Sequence, residues 1–308
     1  MSPGRGISPW TNPRNNMAMR TERDGTAVAA GLAAGVALGG VALLVLMIAA
    51  FALPVFVPLS GQGGEAGAFS WSWRPYQGEF GIMPMLMGSL ALSGLTLCLA
   101  WPLALACACW LLTRTGGLGA RAFRVLIRLM AAVPTVVYGF AAVFLLTPLV
   151  REGLGGSGMC WLSASLMLTL LVLPTMILVL EAGLGERLGS FGMGGLSLGM
   201  TRLEVFWHVV LPSGRKTLAA AALLGFGRAV GDTLLPLMLA GNAPQTPQAL
   251  TDSVRALTAH MALVTANEVG GAAYGSLFAA GALLLLVNAL VSLAAARLAG
   301  GEDKGAKA

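Results

Sequence analysis

An all-α integral membrane protein with six transmembrane helices follows from three features of this 308-residue sequence. Hydrophobic residues make up 56% of it and charged residues only 10%, far from the balance of about half apolar and about a quarter charged in soluble domains. With 19 Lys and Arg and 13 Asp and Glu, the chain has too few charges to coat a soluble surface, so lipid solvates much of it. Those charges are also clustered, which leaves long stretches without any. The 42 glycines fit the same class, because small residues let membrane helices approach closely.

No charged side chain occurs between Asp24 and Glu65, Glu79 and Arg114, Arg128 and Arg151, Glu152 and Glu181, or Glu268 and Arg297. Each interval holds a spanning helix of about 20 residues. The first span, 28–57, is too long for a signal-peptide core and has no small-residue cleavage site after it, so it is expected to stay as an anchor. The 60–82 loop then carries Trp71, Trp73 and Tyr76, residue types that favour the membrane–water interface. The second, third and fourth spans occupy the next three intervals, the last two separated by a short turn at Arg151 and Glu152. A mixed polar and apolar segment, 181–217, with Trp207 beside His208, leads to a fifth span at 218–240. A loop at 241–267 with Asn242, Pro244, Pro247 and His260 precedes the sixth. The expected organisation is therefore a tail at 1–26, the first helix and its outer loop at 27–80, a transmembrane core at 81–300 and a second tail at 301–308.

Lys and Arg fall unevenly on the two sides of these spans, which sets the orientation. One side holds Arg5, Arg14, Arg20, Arg23, Arg114, Arg121, Arg124, Arg128, Arg187, Arg202, Arg215, Lys216, Arg297, Lys304 and Lys307, and the other only Arg74, Arg151 and Arg255. Both termini are expected on the cytoplasmic side. This bias accounts for the net charge of +6, so the charge gives no support to nucleic-acid binding, which needs a basic patch on a folded face. Cys98, Cys107, Cys109 and Cys160 all lie in apolar stretches and read as packing thiols.

Catalytic chemistry is missing from the pattern. No phosphate-binding G-x-x-x-x-G-K-[ST] loop is present, so the chain is not expected to hydrolyse ATP. Gly183, Gly185 and Gly189 follow a membrane helix and not a strand, which makes a dinucleotide cradle a poor reading. His208 and His260 fall on opposite sides, leaving no basis for a metal cluster or a catalytic triad. No catalytic residue, metal or cofactor is assigned to this chain.

Arg228 and Asp232, four residues apart, lie on one face of the predicted fifth helix. Arg228 is about ten residues, or about 15 Å, into the span. Such a charge costs about 2.5–3.5 kcal/mol on insertion scales, so the pair needs a reason. Gly227 and Gly231 flank it at a spacing that lets another helix come close. The pair is then either a structural salt bridge or part of a polar pathway, in which Arg228 offers a forked donor to an oxyanion and Asp232 neutralises it at rest.

The 181–217 segment resembles a known family. Gly199, then nine residues, then Val209, Leu211 and Pro212 is similar to the EAA loop of ABC-importer permeases, whose pattern ends in G, nine residues and I-x-L-P. That resemblance implies the type I ABC importer permease fold, and a coupling loop, here Leu198, Gly199, Thr201, Arg202, Val209, Leu211 and Pro212, that docks on a separate ATPase. Read by periodicity alone, the segment is an interfacial amphipathic helix. The run Val133-Pro134-Thr135-Val136-Val137-Tyr138-Gly139 is similar to P-S-x-V-Y-G of phosphate-specific permeases of the Pst type, and Gly227 to Thr233 to their G-R-A-x-G-E-T. Asn242 to Gln245, Asn267-Glu268 and Tyr274 to Ala279 fit the C-type subunit more than the A-type, and the match covers about residues 81–298.

The resemblance implies a permease subunit of an ATP-driven phosphate importer in a bacterial inner membrane. Its expected partners are a second permease subunit in a heterodimer, two copies of a cytoplasmic ABC ATPase that bind ATP and Mg²⁺, an external phosphate-binding protein and membrane lipid. Arg228 and Asp232 would then line the substrate pathway, with Pro134, Tyr138, Gly227 and Gly231 in helix packing or gating. Three features depart from the family pattern. Asp232 stands where the family has glutamate, Met193-Gly194-Gly195 stands in place of E-A-A, and the acidic anchor is lost, so a salt bridge from this loop to the ATPase either comes from Glu186 or Glu204 or is missing. The alternatives are a type I permease for sulfate, molybdate or tungstate, and a secondary transporter or channel using Arg228 and Asp232 as an ion relay. A lipid-phosphate enzyme lacks a nucleophile, base and metal set.

Overall fold

The computed structural model of the chain describes residues 31–36, 38–43, 45–50, 69–114, 116–267 and 272–300. The expected tails at 1–26 and 301–308, both ends of the first predicted span and residues 60–68 of the loop after it lie outside these residues. The chain divides into two units, Met1–Phe51 and Ala52–Ala308. In the first, α1 (Gly31–Ala50) is long and apolar enough to cross a membrane.

The second unit opens with a hairpin, β1 (Trp73–Arg74) antiparallel to β2 (Glu79–Phe80), turned through a 3-10 helix at Pro75–Gln77. Gly78 closes that turn at a φ of +74°, a region costly for residues with a Cβ. The helices that follow are α2 (Met83–Thr113), α3 (Leu118–Ala132), α4 (Thr135–Leu154), α5 (Trp161–Ser197), α6 (Arg202–Val205), α7 (Leu211–Ser213), α8 (Arg215–Gly231), α9 (Leu234–Leu239), α10 (Leu257–Asn267) and α11 (Ala272–Gly300), with a π-helical turn over Phe206–Val210 between α6 and α7. Besides α1, the described helices long and apolar enough to span are α2, α4, α5 and, within α11, Tyr274–Arg297.

The core sits on α5, whose most apolar stretch is 67% buried, against 22% for α4 and 17% for α11. Those two outer helices must therefore face lipid or another chain. On α2 the fully buried Ala100, Ala104 and Ala108 repeat every four residues, as do Val172, Met176, Leu180 and Leu184 on α5. Matched rows of this spacing pack ridge into groove, the small side chains of one helix admitting the large ones of the other. Gly225 brings α8 onto the same surface, since a Cβ there would sit 2.7 Å from Met176 Sδ. In lipid this close packing, and not apolar transfer, supplies most of the attraction.

Four expected features change in the structure. The third span begins at Thr135, because Arg121, Arg124 and Arg128 belong to a separate helix, α3, with Ala120 and Ile127 buried. Arg124 Nε meets Glu181 Oε1 at 2.5 Å and ties α3 to α5. The fourth span does not stop at Glu181; α5 continues through Ser197. The fifth span is split at Asp232 and Thr233 into α8 and α9, so a count of six rests on reading those two helices as one broken span. Finally, the expected 241–267 loop contains α10, whose 11 residues are too short to cross a bilayer.

Candidate functional site

Asp232 ends α8 with an extended ψ of 133°, and its Oδ2 accepts the Leu235 N–H at 2.9 Å. It thus caps the first turn of α9, the usual work of aspartate at a helix start. The expected one-turn alignment with Arg228 on a continuous helix is therefore absent, and the two side chains form no ion pair. Arg228 lies in the last turn of α8 and is exposed on the chain. Its charge nevertheless reaches both Asp232 and Tyr138. A bare guanidinium facing lipid is costly, so this face of α8 must look onto another polypeptide or a polar path.

Gly231, at the break, has no atom within 4 Å of the point where a Cβ would stand, and it opens onto a cleft of about 450 Å³. Thr233, Thr258, Met261 and Thr265 line it, the last three on one stripe of α10. Gly227 has another role, with a Cβ there lying 3.2 Å from Val291 Cγ1 on α11. The two glycines thus do not serve a single helix contact. The threonines go unnoticed while 241–267 is read as loop, although the 258, 261, 262, 265 spacing is a helical signal.

The Pro134, Tyr138 and Gly139 motif has a local physical basis. Proline has no N–H for the Met130 carbonyl four residues earlier, and the Tyr138 hydroxyl donates to that oxygen at 2.9 Å. Tyr138 therefore staples the bend between α3 and α4. Gly139 admits α9, as a Cβ there would come within 2.6 Å of Met238 Sδ.

The expected coupling residues form a second, separate cluster at the far end of α5. Gly199 takes a φ of +81° directly after this helix, and its N–H bonds to the Leu196 carbonyl at 3.0 Å while Met200 N–H reaches Gly195 O at 3.1 Å. This left-handed termination requires glycine or, less well, asparagine. Thr201 and Glu204 then form a reciprocal capping box that starts α6. Glu204 Oε2 accepts from Thr201 N–H at 2.7 Å and from its hydroxyl at 2.9 Å, bonds that hold the carboxyl below the usual carboxylate range. Its first task is thus within the chain and not toward an ATPase, and T-x-x-E is the cap signature that signals this in the sequence.

Val205, Phe206 and Val210 are fully buried against α2 and α5, with Val209 and Leu211 partly buried beside them. Leu198 is 83% exposed, and Met193, Leu196, Leu203, Trp207, Arg202 and Pro212 are exposed too. Met193, Leu196 and Arg202 also line a cavity of about 310 Å³ between the ends of α2 and α5. The glycines that replace E-A-A differ from each other here. A Cβ at Gly195 would lie 2.5 Å from Val205 Cγ2, whereas Gly194 has nothing within 4 Å.

The chain matches known proteins along most of its length. Residues 100–301 match the family described as binding-protein-dependent transport system inner membrane component. The chain is 28% identical over 266 residues to the probable ABC transporter permease protein YqgH of Bacillus subtilis, covering 81% of this chain and 85% of that protein. It is 28% identical over 300 residues to the phosphate transport system permease protein PstC 2 of Mycobacterium tuberculosis, covering 89% and 92%. With the phosphate transport system permease protein PstC of Haemophilus influenzae, identity is 26% over 239 residues, covering 71% and 76%. The chain thus belongs to the family of binding-protein-dependent transport system inner membrane components, as a multi-pass ABC transporter permease subunit that is not itself an enzyme.

Proposed function

We propose that the chain is the permease subunit of an ATP-driven phosphate importer. The observation that carries this reading is Arg228, a permanently charged forked cation on the exposed face of a membrane helix, near the Asp232 break and a threonine-lined cleft. A guanidinium suits a tetrahedral oxyanion because its donors match two oxygens at once. Asp232 offsets the charge when no anion is present, so the empty path does not hold an uncompensated cation. The names of the relatives, phosphate transport permeases among them, support phosphate over other oxyanions.

In this reading a second permease subunit covers the Arg228 face, and the two chains share the pathway. The exposed cluster around Leu198, Gly199, Thr201, Arg202 and Trp207 lies on the cytoplasmic side, together with both termini, and docks on one of two ABC ATPase copies. ATP and Mg²⁺ bind there and not in this chain. The 241–256 segment and the β1–β2 hairpin face outward, toward a phosphate-binding protein. ATP-dependent uptake of labelled phosphate by the reconstituted complex tests the proposal, with sulfate and molybdate as competitors. Phosphate uptake that excess sulfate and molybdate leave intact is expected. Preferential uptake of either competitor, or uptake without ATP, would replace the reading by another oxyanion permease or by a secondary transporter.

A further inference from the structure

The break between α8 and α9 is held from outside by one side chain. Thr258, 4% exposed, donates its hydroxyl to the main-chain oxygen of Asp232 at 2.8 Å. Among the described residues no other hydrogen bond joins residues 231–234 to a residue outside α8 and α9; the remaining ones come from within these helices, as from the Leu235 and Leu237 N–H groups of α9. Thr258 is itself firmly placed. In the turn that carries it, the Leu257 N–H donates to Ser89 Oγ on α2 at 2.7 Å. His260 Nε2 lies 3.3 Å from Ser276 Oγ on α11, and its ring sits edge-on to Trp73 of the hairpin, with centroids 4.4 Å apart. The first turn of α10 is thus anchored to three other elements and lends its fourth contact to the break. Thr265 on the same stripe differs, because its hydroxyl bonds only within α10, to Met261 O.

We propose that Thr258 is a positioning residue for the anion path: its hydroxyl fixes the Asp232 main chain, and so sets where the Asp232 carboxylate stands relative to Arg228. The inference rests on the pathway role of Arg228 and Asp232 and adds a residue whose hydroxyl is given to the Asp232 main chain. Loss of the hydroxyl leaves a polar main-chain oxygen without its partner at a helix break, so the break relaxes and the carboxylate moves with it.

The test uses the complete reconstituted complex with Thr258→Val, which keeps the side-chain shape and removes the hydroxyl, and Thr258→Ser, which restores it. Complex assembly, the maximal rate of phosphate uptake and the phosphate-to-sulfate uptake ratio are measured for each. The expected result for Thr258→Val is normal assembly, an uptake rate lower by about tenfold, the scale of one buried main-chain hydrogen bond, and a reduced ratio. Thr258→Ser is expected to recover both rate and ratio. Normal rate and ratio in Thr258→Val, a lower rate with an unchanged ratio, failure to assemble, or no recovery in Thr258→Ser would each overturn the inference. Arg228→Lys is measured alongside to separate the two claims. Normal uptake in Arg228→Lys removes the pathway reading itself, whereas impaired uptake there with an unaffected Thr258→Val removes only the role of Thr258.

Discussion

Restoring the family alanines at positions 194 and 195 one at a time should move stability in opposite directions. Gly194 lies in α5 with open space around its Cβ position, so Gly194→Ala only removes the backbone entropy cost of a helical glycine. It should stabilise the protein by about 0.5–1 kcal/mol. Gly195→Ala gains the same propensity but sets a methyl 2.5 Å from Val205 Cγ2. Val205 is fully buried and branched at Cβ, so it cannot swing aside, and overpacking of this kind costs about 1–3 kcal/mol. The net effect should be a loss of up to about 2 kcal/mol. Combining Gly195→Ala with Val205→Ala removes the clash, and the double-mutant cycle should return a favourable coupling of about 1 kcal/mol or more. Thermal unfolding of the detergent-solubilised protein reads all four variants. A Gly195→Ala protein as stable as Gly194→Ala, or a cycle without coupling, would refute this account of the two glycines.

Three further expectations concern the loop after α5, the buried histidine of α10 and the orientation. Gly199→Asn reports the cost of a side chain at this positive φ, and Gly199→Asp adds a charge on a side chain of the same shape; Asp should abolish ATP-dependent uptake with normal membrane insertion and Asn should retain it, while equal behaviour of the two would remove ATPase docking at this turn. Burial, aided by the charge of Arg255, pushes the His260 imidazole from 6.5 down to about 3. The unfolded chain therefore takes up the proton first, and the contribution to stability, complete above pH 6.5, declines as the pH falls toward 3. At pH 5.5 the wild type should have lost about 1.4 kcal/mol that a His260→Asn variant does not lose, and parallel pH profiles for the two would contradict this. Reporters fused after Ala308 and inserted near Gln62 should label opposite sides of the membrane, cytoplasmic and external respectively; labels on one side would refute the six-span reading.

Charge-free intervals in the sequence locate α2, α4, α5 and α11 because lipid penalises every charge in a span. The same rule misplaces α3, which carries its arginines on one side of a helix and lies alongside the bundle; Ala120, Phe123 and Ile127, spaced three and four apart, are the legible sign. The break in the fifth span is also written in the chain, since Asp232 three residues before Leu235, followed by Pro236, is a helix-start pattern. Reading Asp232 only as a partner for Arg228 conceals it. Gly199 stands out through its motif, but the reason for it, a positive φ after α5, needs coordinates. The role of Thr258 is not legible at all, because a hydrogen bond between residues 26 apart leaves no local pattern.

The proposed function requires that Arg228 faces the anion and not merely a neighbouring carboxylate. Phosphate uptake by the reconstituted complex carrying Arg228→Lys or Asp232→Asn, with assembly measured on the same samples, tests it most directly. Lysine keeps the charge and loses the fork, so uptake should drop strongly in a complex that still assembles. Asparagine retains an oxygen that can accept the Leu235 N–H, so the break should survive while turnover or selectivity changes. Normal phosphate uptake in Arg228→Lys, or an Asp232→Asn chain that does not assemble with its partners, would show that the pair is a structural one and does not meet the anion.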